Sequence, residues 1–279
     1  MLISSMSCGR ARASRDGTRY VLAAFAFASI ALVAGCGKSP VGQTGAPPAP
    51  VTLFAAASLT PALEDITTLA ASRGVALVVS SGSSADLARQ IEHGAPADLY
   101  FSAHPLWSGH LEKLQKSEAR ADLLSNRLCV IVPSNSALQA QSSPAFLATD
   151  AVHRISIGDP VSVPGGVYAR ESLTRLALWT KVESKVVPAL DAQQALLHVE
   201  QQAADAGIAY HSDTANNTRI RVIYTFPEDP AHPILYPLLL LLREHRAPQA
   251  QAAYDLLQSP EAQAIYQRHG FNLINKGTK

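Results

Sequence analysis

Along most of the chain, short continuous apolar runs alternate with segments whose apolar residues recur every three or four positions. The runs at 51–57, 75–79, 98–103, 128–133, 154–158, 206–210, 220–225 and 234–242 have the length of strands, and those at 128–132 and 238–242 read as buried. Between them, Leu63, Ile66 and Leu69 fall on one helical face. So do Leu87 with Ile91, Leu173 with Leu176 and Ala177, and Leu196 and Leu197 with Val199. Local signals mark the ends of these elements. Thr60-Pro61 predicts an N-cap followed by proline at the first helical position, Gly74 a helix stop, Ser83 or Ser84 a second cap, and Gly94-Ala95-Pro96 a turn. Gly165-Gly166 opens a further helix after a strand that ends in Asp159-Pro160, and Asp191 caps another. Helices are also predicted at 106–114, 145–149, 248–258 and 260–269, with a short segment at 186–189. Alternation of this kind predicts an α/β fold with mainly parallel sheets.

The first fifty residues break the pattern. Arg10, Arg12, Arg15 and Arg19 precede an apolar, alanine-rich run at 20–34. That run is shorter than the ~20 residues of a membrane-spanning helix and has the form of a secretory leader. It ends in Leu32-Val33-Ala34-Gly35-Cys36, which resembles the lipobox of bacterial lipoproteins, where the cysteine is lipidated and becomes the new N-terminus. Residues 37–50 (GKSPVGQTGAPPAP) carry no core-forming pattern and predict a tether with a reach on the order of 20 Å. The expected product is a globule in the periplasm or at the cell exterior, held to a membrane through lipidated Cys36. Cys8 leaves with the leader on this reading. Cys129, inside an apolar run, is then a lone core thiol, and no disulfide or zinc framework is expected.

Charge narrows the function. The net charge is +1 and only 16% of the residues are charged, so the chain carries no electrostatic footprint for nucleic acid. The histidines are scattered, and His104 and His110 lack the spacing of metal ligands. Arg89 and Asp98 are expected in ion pairs at the surface or inside one lobe. The stretch Gly82-Ser83-Ser84-Ala85-Asp86 lacks the final glycine of a nucleophile elbow, and no phosphate-loop lysine motif occurs. No catalytic residue and no cofactor are therefore assigned, and a hydrolase is the weaker reading.

What remains is a set of turns in which a strand hands over to a helix. Ser58, Ser84, Gly165 and Ala192 each stand at such a turn. A helix N-terminus carries unpaired N–H donors and partial positive charge, and in open α/β sheets ligands bind beyond the carboxyl ends of the strands. Two of these turns lie early in the chain and two in its middle, the arrangement expected of two lobes facing one cleft. A fully ionised oxyanion has only acceptors, so donors without a carboxylate suit it, and Asp191 must turn its side chain to its own helix.

The segment Leu53-Phe54-Ala55-Ala56-Ala57-Ser58-Leu59 resembles the opening of the molybdate-binding proteins of ABC importers. So do Leu87-Ala88-Arg89-Gln90-Ile91, Gly94-Ala95-Pro96-Ala97-Asp98-Leu99, Gly158-Asp159-Pro160 and Val163-Pro164-Gly165-Gly166-Val167-Tyr168. Later matches are Gly207-Ile208-Ala209-Tyr210-His211-Ser212-Asp213, Phe226-Pro227-Glu228-Asp229 and Tyr236-Pro237. The resemblance implies a two-lobed type II periplasmic binding protein fold with two crossovers, lobe 1 comprising 51–130 and 219–279 and lobe 2 comprising 131–218. It implies an oxyanion, molybdate or tungstate, held by hydroxyl and N–H donors of Ser58 and Ser84, the N–H groups of Gly165 and Ala192, and the phenol of Tyr210, with Ser83 as a neighbour. It also implies a membrane permease as partner and a monomeric receptor. The alternative is another small oxyanion such as sulfate or phosphate. The family often has alanine at the position of Gly165 and valine at that of Ala192, changes that leave a backbone donor in place.

Overall fold

The computed structural model describes residues 49–274 apart from Asn216. The expected leader with Cys36, and the tether up to residue 48, lie outside the described residues.

The chain starts in one sheet with β1 (Val51–Ala56), α1 (Thr60–Ser72), β2 (Leu77–Gly82), α2 (Ser84–Glu92), β3 (Leu99–Phe101), α3 (Pro105–Lys113) and β4 (Ser117–Asn126). It then enters a second sheet with β5 (Leu128–Pro133), β6 (Ile155–Gly158), α4 (Pro164–Arg175), α5 (Trp179–Val182), β7 (Val186–Ala189), α6 (Ala192–Glu200), β8 (Ala206–Tyr210) and β9 (Ile220–Thr225). It returns to the first sheet with β10 (Ile234–Leu241), α7 (Ala250–Leu256), α8 (Pro260–Arg268) and β11 (Asn272–Leu273). The strand orders are β11-β4-β10-β3-β1-β2 and β7-β6-β8-β5-β9. This is the two-lobed α/β architecture with two crossovers.

Two details differ from expectation. Both sheets are mixed: β1 is parallel to β2 and β3, and β6 to β7 and β8, whereas β10 runs antiparallel to β3 and β4, and β5 to β8 and β9. The antiparallel ladders arise where the chain leaves or re-enters a lobe without an intervening helix. The crossings also lie elsewhere than 130/131 and 218/219. Arg127 alone separates β4 from β5, and the return runs through 226–233. A boundary inside 128–133 would cut one strand whose residues pair continuously with β8, and β9 pairs with β5, so both belong to the second lobe.

The continuous apolar runs are explained by cover on both faces. Leu53 and Ala55, Leu99 and Phe101, and Leu238 and Leu240 face a core that also holds Leu63 and Ile66 of α1. The alternate residues Phe54, Tyr100, Leu239 and Leu241 pack with Leu87 and Ile91 of α2 and Leu111 of α3. In the second sheet, Val130 and Val132 face the side of Tyr168, Ala169 and Leu173 of α4, while Cys129 and Ile131 meet Leu196 and Val199 of α6. Cys129 is a buried free thiol whose ionisation burial makes unfavourable. Asp98 is buried, accepts the N–H groups of Thr52 (2.8 Å) and Ala247 (3.0 Å), and pairs with Arg243 at 3.1 Å. Arg89 pairs with Asp86 on its own helix.

Some local readings change. Thr60 does not cap α1. A single 3-10 turn, Ala57–Leu59, runs straight into the helix, so Thr60 is its first residue and its hydroxyl donates to Ser81 Oγ at 3.0 Å. Leu176 and Ala177 do not join the buried stripe of α4, because the helix ends at Arg175 and Ala177 turns the chain at φ +53°.

Candidate functional site

Four helix starts meet at one small cavity between the two sheets. Its walls are Ala56, Ala57 and Ser58 before α1, Gly82, Ser83 and Ser84 at α2, and Ala103 after β3. Val163, Pro164 and Gly165 at α4, Asp191 and Ala192 at α6, and Tyr210 at the end of β8 complete it. Ser58, Ser84, Gly165, Ala192 and Tyr210 thus share one cavity, with Ser83 beside them. The cavity is tight, with room on the order of a single water, so a larger guest enters only as the lobes part. A wider cavity of about 430 Å³ lies beside Leu69, Val75 and Leu256, but it gathers no converging helix starts.

Each position presents a donor for a local reason. Ser84 is the first residue of α2, where N–H groups have no intrahelical acceptor. Its Oγ accepts the N–H of Ala103 at 3.0 Å and its carbonyl accepts the Tyr100 hydroxyl at 2.7 Å, which leaves the serine proton for a guest. Ser83 stands at the N-cap position without capping, and its Oγ is buried with no partner among the described residues. In α4, Pro164 has no N–H, so Gly165 supplies the first one. The helix can sit this close to β6 because Gly166 lies against the end of that strand. A Cβ there would come 1.9 Å from the Gly158 carbonyl oxygen. Ala192 is the first residue of α6, and Asp191 Oδ1 accepts the Gln194 N–H at 2.8 Å, turned to its own helix.

The Tyr210 hydroxyl is buried and has no hydrogen-bond partner among the described residues. Burial raises its pKa well above the usual phenol range, so the group stays a neutral donor. Among the described residues, the lining contains no lysine or arginine, and its only carboxylate is the one that caps α6. The site's positive potential comes from helix ends and oriented N–H and O–H groups. Among the described residues, no three His, Cys, Asp or Glu side chains group as metal ligands. His104 instead stacks on Tyr168 across the two lobes, with ring centres 4.6 Å apart, and burial lowers its pKa to about 4.

A second layer was not assigned from the sequence. Ser58 Oγ lies 3.1 Å from the hydroxyl of Tyr236, which is fully buried and packs edge-on against Tyr210. Asn126, at the end of β4, donates to Tyr236 and to Ser212. Asp213 is buried beside them and accepts the Tyr210 N–H at 3.2 Å. Tyr236-Pro237 interrupts an otherwise aliphatic strand, and the ladder slips its register there, which is the one signal the sequence offers for this layer.

A family model for bacterial extracellular solute-binding proteins matches residues 51–272. The chain is 39% identical over 229 residues to the molybdate-binding protein ModA of Escherichia coli, covering 80% of this chain and 89% of that protein. It is 34% identical to the molybdate-binding protein ModA of Haemophilus influenzae over 86% of this chain and 95% of the other. The solved periplasmic molybdate-binding protein of Azotobacter vinelandii is similar in fold, with a TM-score of 0.71 at 24% identity over 80% of this chain and 99% of that one.

Proposed function

The chain belongs to the bacterial extracellular solute-binding proteins, and on that premise we propose that it is the receptor of an ABC importer that captures molybdate, or tungstate, between its lobes. It is a binding protein rather than an enzyme, and the reading calls for no cofactor. The observation that carries the proposal is a cavity that, among the described residues, offers donors and no cation, with the Ser83 and Tyr210 hydroxyls buried and unpaired there. A buried donor without an acceptor costs about 1–3 kcal/mol, and the oxygens of a dianion relieve that cost at several donors together. Ser58, Ser84, Gly165, Ala192 and Tyr210 supply the hydrogen bonds, with Ser83 in support.

Capture and release follow from two lobes joined by two short crossings. A guest that binds both walls favours the closed arrangement, and the closed arrangement is what a permease distinguishes from the empty one. Size sets the choice of anion. Donors spaced for a larger tetrahedral ion leave some unpaired around sulfate. Titration calorimetry and thermal unfolding with molybdate, tungstate, sulfate and phosphate test this. Molybdate and tungstate should raise the unfolding midpoint most, by mass action. An equal rise with sulfate would overturn the size argument, and no response to any of the four would overturn the oxyanion reading.

Ser84→Ala should weaken molybdate binding by about 1–3 kcal/mol, because it removes a donor to the guest and leaves the Ala103 N–H without its acceptor. Lys181→Ala, at an exposed position, should change nothing measurable in the same calorimetric titration. Equal losses from both changes would discredit the site.

The leader and Cys36 complete the proposal with a monomeric receptor anchored outside the cytoplasmic membrane, its lipid supplying the attachment. Cys36→Ala should move the protein from the membrane fraction to the soluble one. Retention in the membrane would exclude that anchor.

A further inference from the structure

The bond between Ser58 Oγ and the Tyr236 hydroxyl can run in either direction when taken alone. Its direction is set one residue further back. Asn126 Oδ1 accepts the N–H of Arg127 at 2.9 Å and that of Ser212 at 3.4 Å. A backbone N–H only donates, so the amide of Asn126 has one orientation, with its NH₂ group facing the other way. That NH₂ donates one proton to Ser212 Oγ at 2.8 Å and one to the Tyr236 oxygen at 3.2 Å. Tyr236 is fully buried, and Ser58 Oγ is the hydrogen-bond acceptor left for its O–H among the described residues. The Tyr236 proton then occupies the bond to Ser58, and the Ser58 proton is free to point into the cavity.

We propose that Tyr236 is a positioning residue that, driven by Asn126, makes Ser58 an obligate donor, so that the site rejects oxyanions carrying a proton independently of their size. The proposal rests on the oxyanion reading given above. The sequence of donors runs Asn126 to Tyr236 to Ser58 to ligand, and turning the Ser58 proton back onto Tyr236 would crowd a third proton onto the phenol oxygen and leave the buried Tyr236 proton without an acceptor among the described residues. A ligand O–H aimed at Ser58 would meet another donor. Ser84 is locked in the same sense by the Ala103 N–H, but through a backbone group that no side-chain change removes.

Sulfate and monohydrogen phosphate separate this effect from size, since they share charge and shape and differ by one proton. Their dissociation constants are read at pH 8 by competition against bound molybdate. The wild type should prefer sulfate over hydrogen phosphate by about tenfold or more, and Tyr236→Phe should shrink that ratio at least about fivefold by letting Ser58 turn and accept. A merely structural role for Tyr236 would weaken both anions equally and leave the ratio unchanged, which would overturn the proposal. In a Ser58→Ala background, Tyr236→Phe should no longer move the ratio, and a persisting shift would overturn the route through Ser58. Should Tyr236→Phe fail to fold, Asn126→Ala removes the driving donor while keeping the phenol, and it must shrink the same ratio. Failure of the wild type to bind molybdate at all would overturn the oxyanion reading itself. Molybdate binding with no preference between sulfate and hydrogen phosphate would overturn only the relay.

Discussion

Gly166→Ala is expected to destabilise the protein by about 3 kcal/mol or more and to weaken molybdate binding at least about tenfold. The cause is steric and local. A Cβ on Gly166 would lie 1.9 Å from the carbonyl oxygen of Gly158, 2.5 Å from its carbon and 2.6 Å from the oxygen of Asp159. All three are backbone atoms at the end of β6, so no side chain can turn aside. The start of α4 must move away from the strand by an ångström or more, which carries the Gly165 N–H out of hydrogen-bond range of a guest. The adjacent change makes the control. A Cβ on Gly165 would meet the Tyr210 ring at 3.4 and 3.6 Å, close to ordinary contact, so Gly165→Ala should fold normally and alter affinity by less than about threefold. Urea unfolding and molybdate titration of the two variants decide the matter. Equal behaviour of the neighbouring alanines would show that α4 does not depend on this close approach.

Asp213→Asn should stabilise the protein at pH 8 by up to about 4 kcal/mol, and by almost nothing near pH 4. Burial raises the carboxyl of Asp213 from its ordinary 3.8 to about 7. Between those values the folded protein holds a proton that the unfolded chain has lost. Stability from this group therefore falls as the pH rises from about 4 to about 7, and the deficit is complete above 7. The asparagine keeps an acceptor for the Tyr210 N–H but never ionises. His104 acts in the opposite sense, since burial lowers its pKa from 6.5 to about 4. Its contribution is present above about 6.5 and is lost as the pH falls towards 4. In the wild type the two slopes oppose each other, and the variant exposes that of His104. Ionised Asp213 also places a negative charge beside Tyr210, so molybdate binding should weaken from pH 6 to pH 8 in the wild type and stay flat in the variant. Urea midpoints at pH 4.5, 6 and 8 with paired titrations test both statements. No gain at pH 8 would show that Asp213 does not carry the buried charge.

Strands covered on both faces were legible in the sequence wherever aliphatic residues run without interruption. The segments Leu128–Pro133 and Ala206–Tyr210, buried throughout, have in the structure the bounds that the sequence predicts. β4 was not legible. Its residues Glu118, Arg120 and Asp122 face outwards, with Arg120 bridging Glu112 and Asp122, and only Ala121, Leu124 and Asn126 are buried. Such a strand is stabilised by its ladder with the mostly aliphatic, buried β10, a partner more than a hundred residues away. The ends of helices were blurred for a related reason. Ala177 takes a left-handed conformation usually left to glycine, so nothing in its identity announces the stop after α4.

The candidate site divides along the same line. Hydroxyls and glycines at strand-to-helix turns are written locally, since a helix start exposes N–H groups whatever surrounds it, and this suffices to single out Ser58, Ser84, Gly165 and Ala192, whereas Tyr210 enters only through the resemblance to the molybdate-binding family. Their meeting in one cavity is a property of two mixed sheets brought face to face by crossings at Arg127 and at 226–233. So is the layer behind them. Tyr236 reaches Ser58 across 178 positions and Asn126 reaches Ser212 across 86, and no local pattern encodes a hydrogen bond over such distances. The sequence by itself determined which groups are able to donate. The tertiary structure decided which of them lack a protein acceptor, because only burial and packing withdraw both water and partner from a polar group.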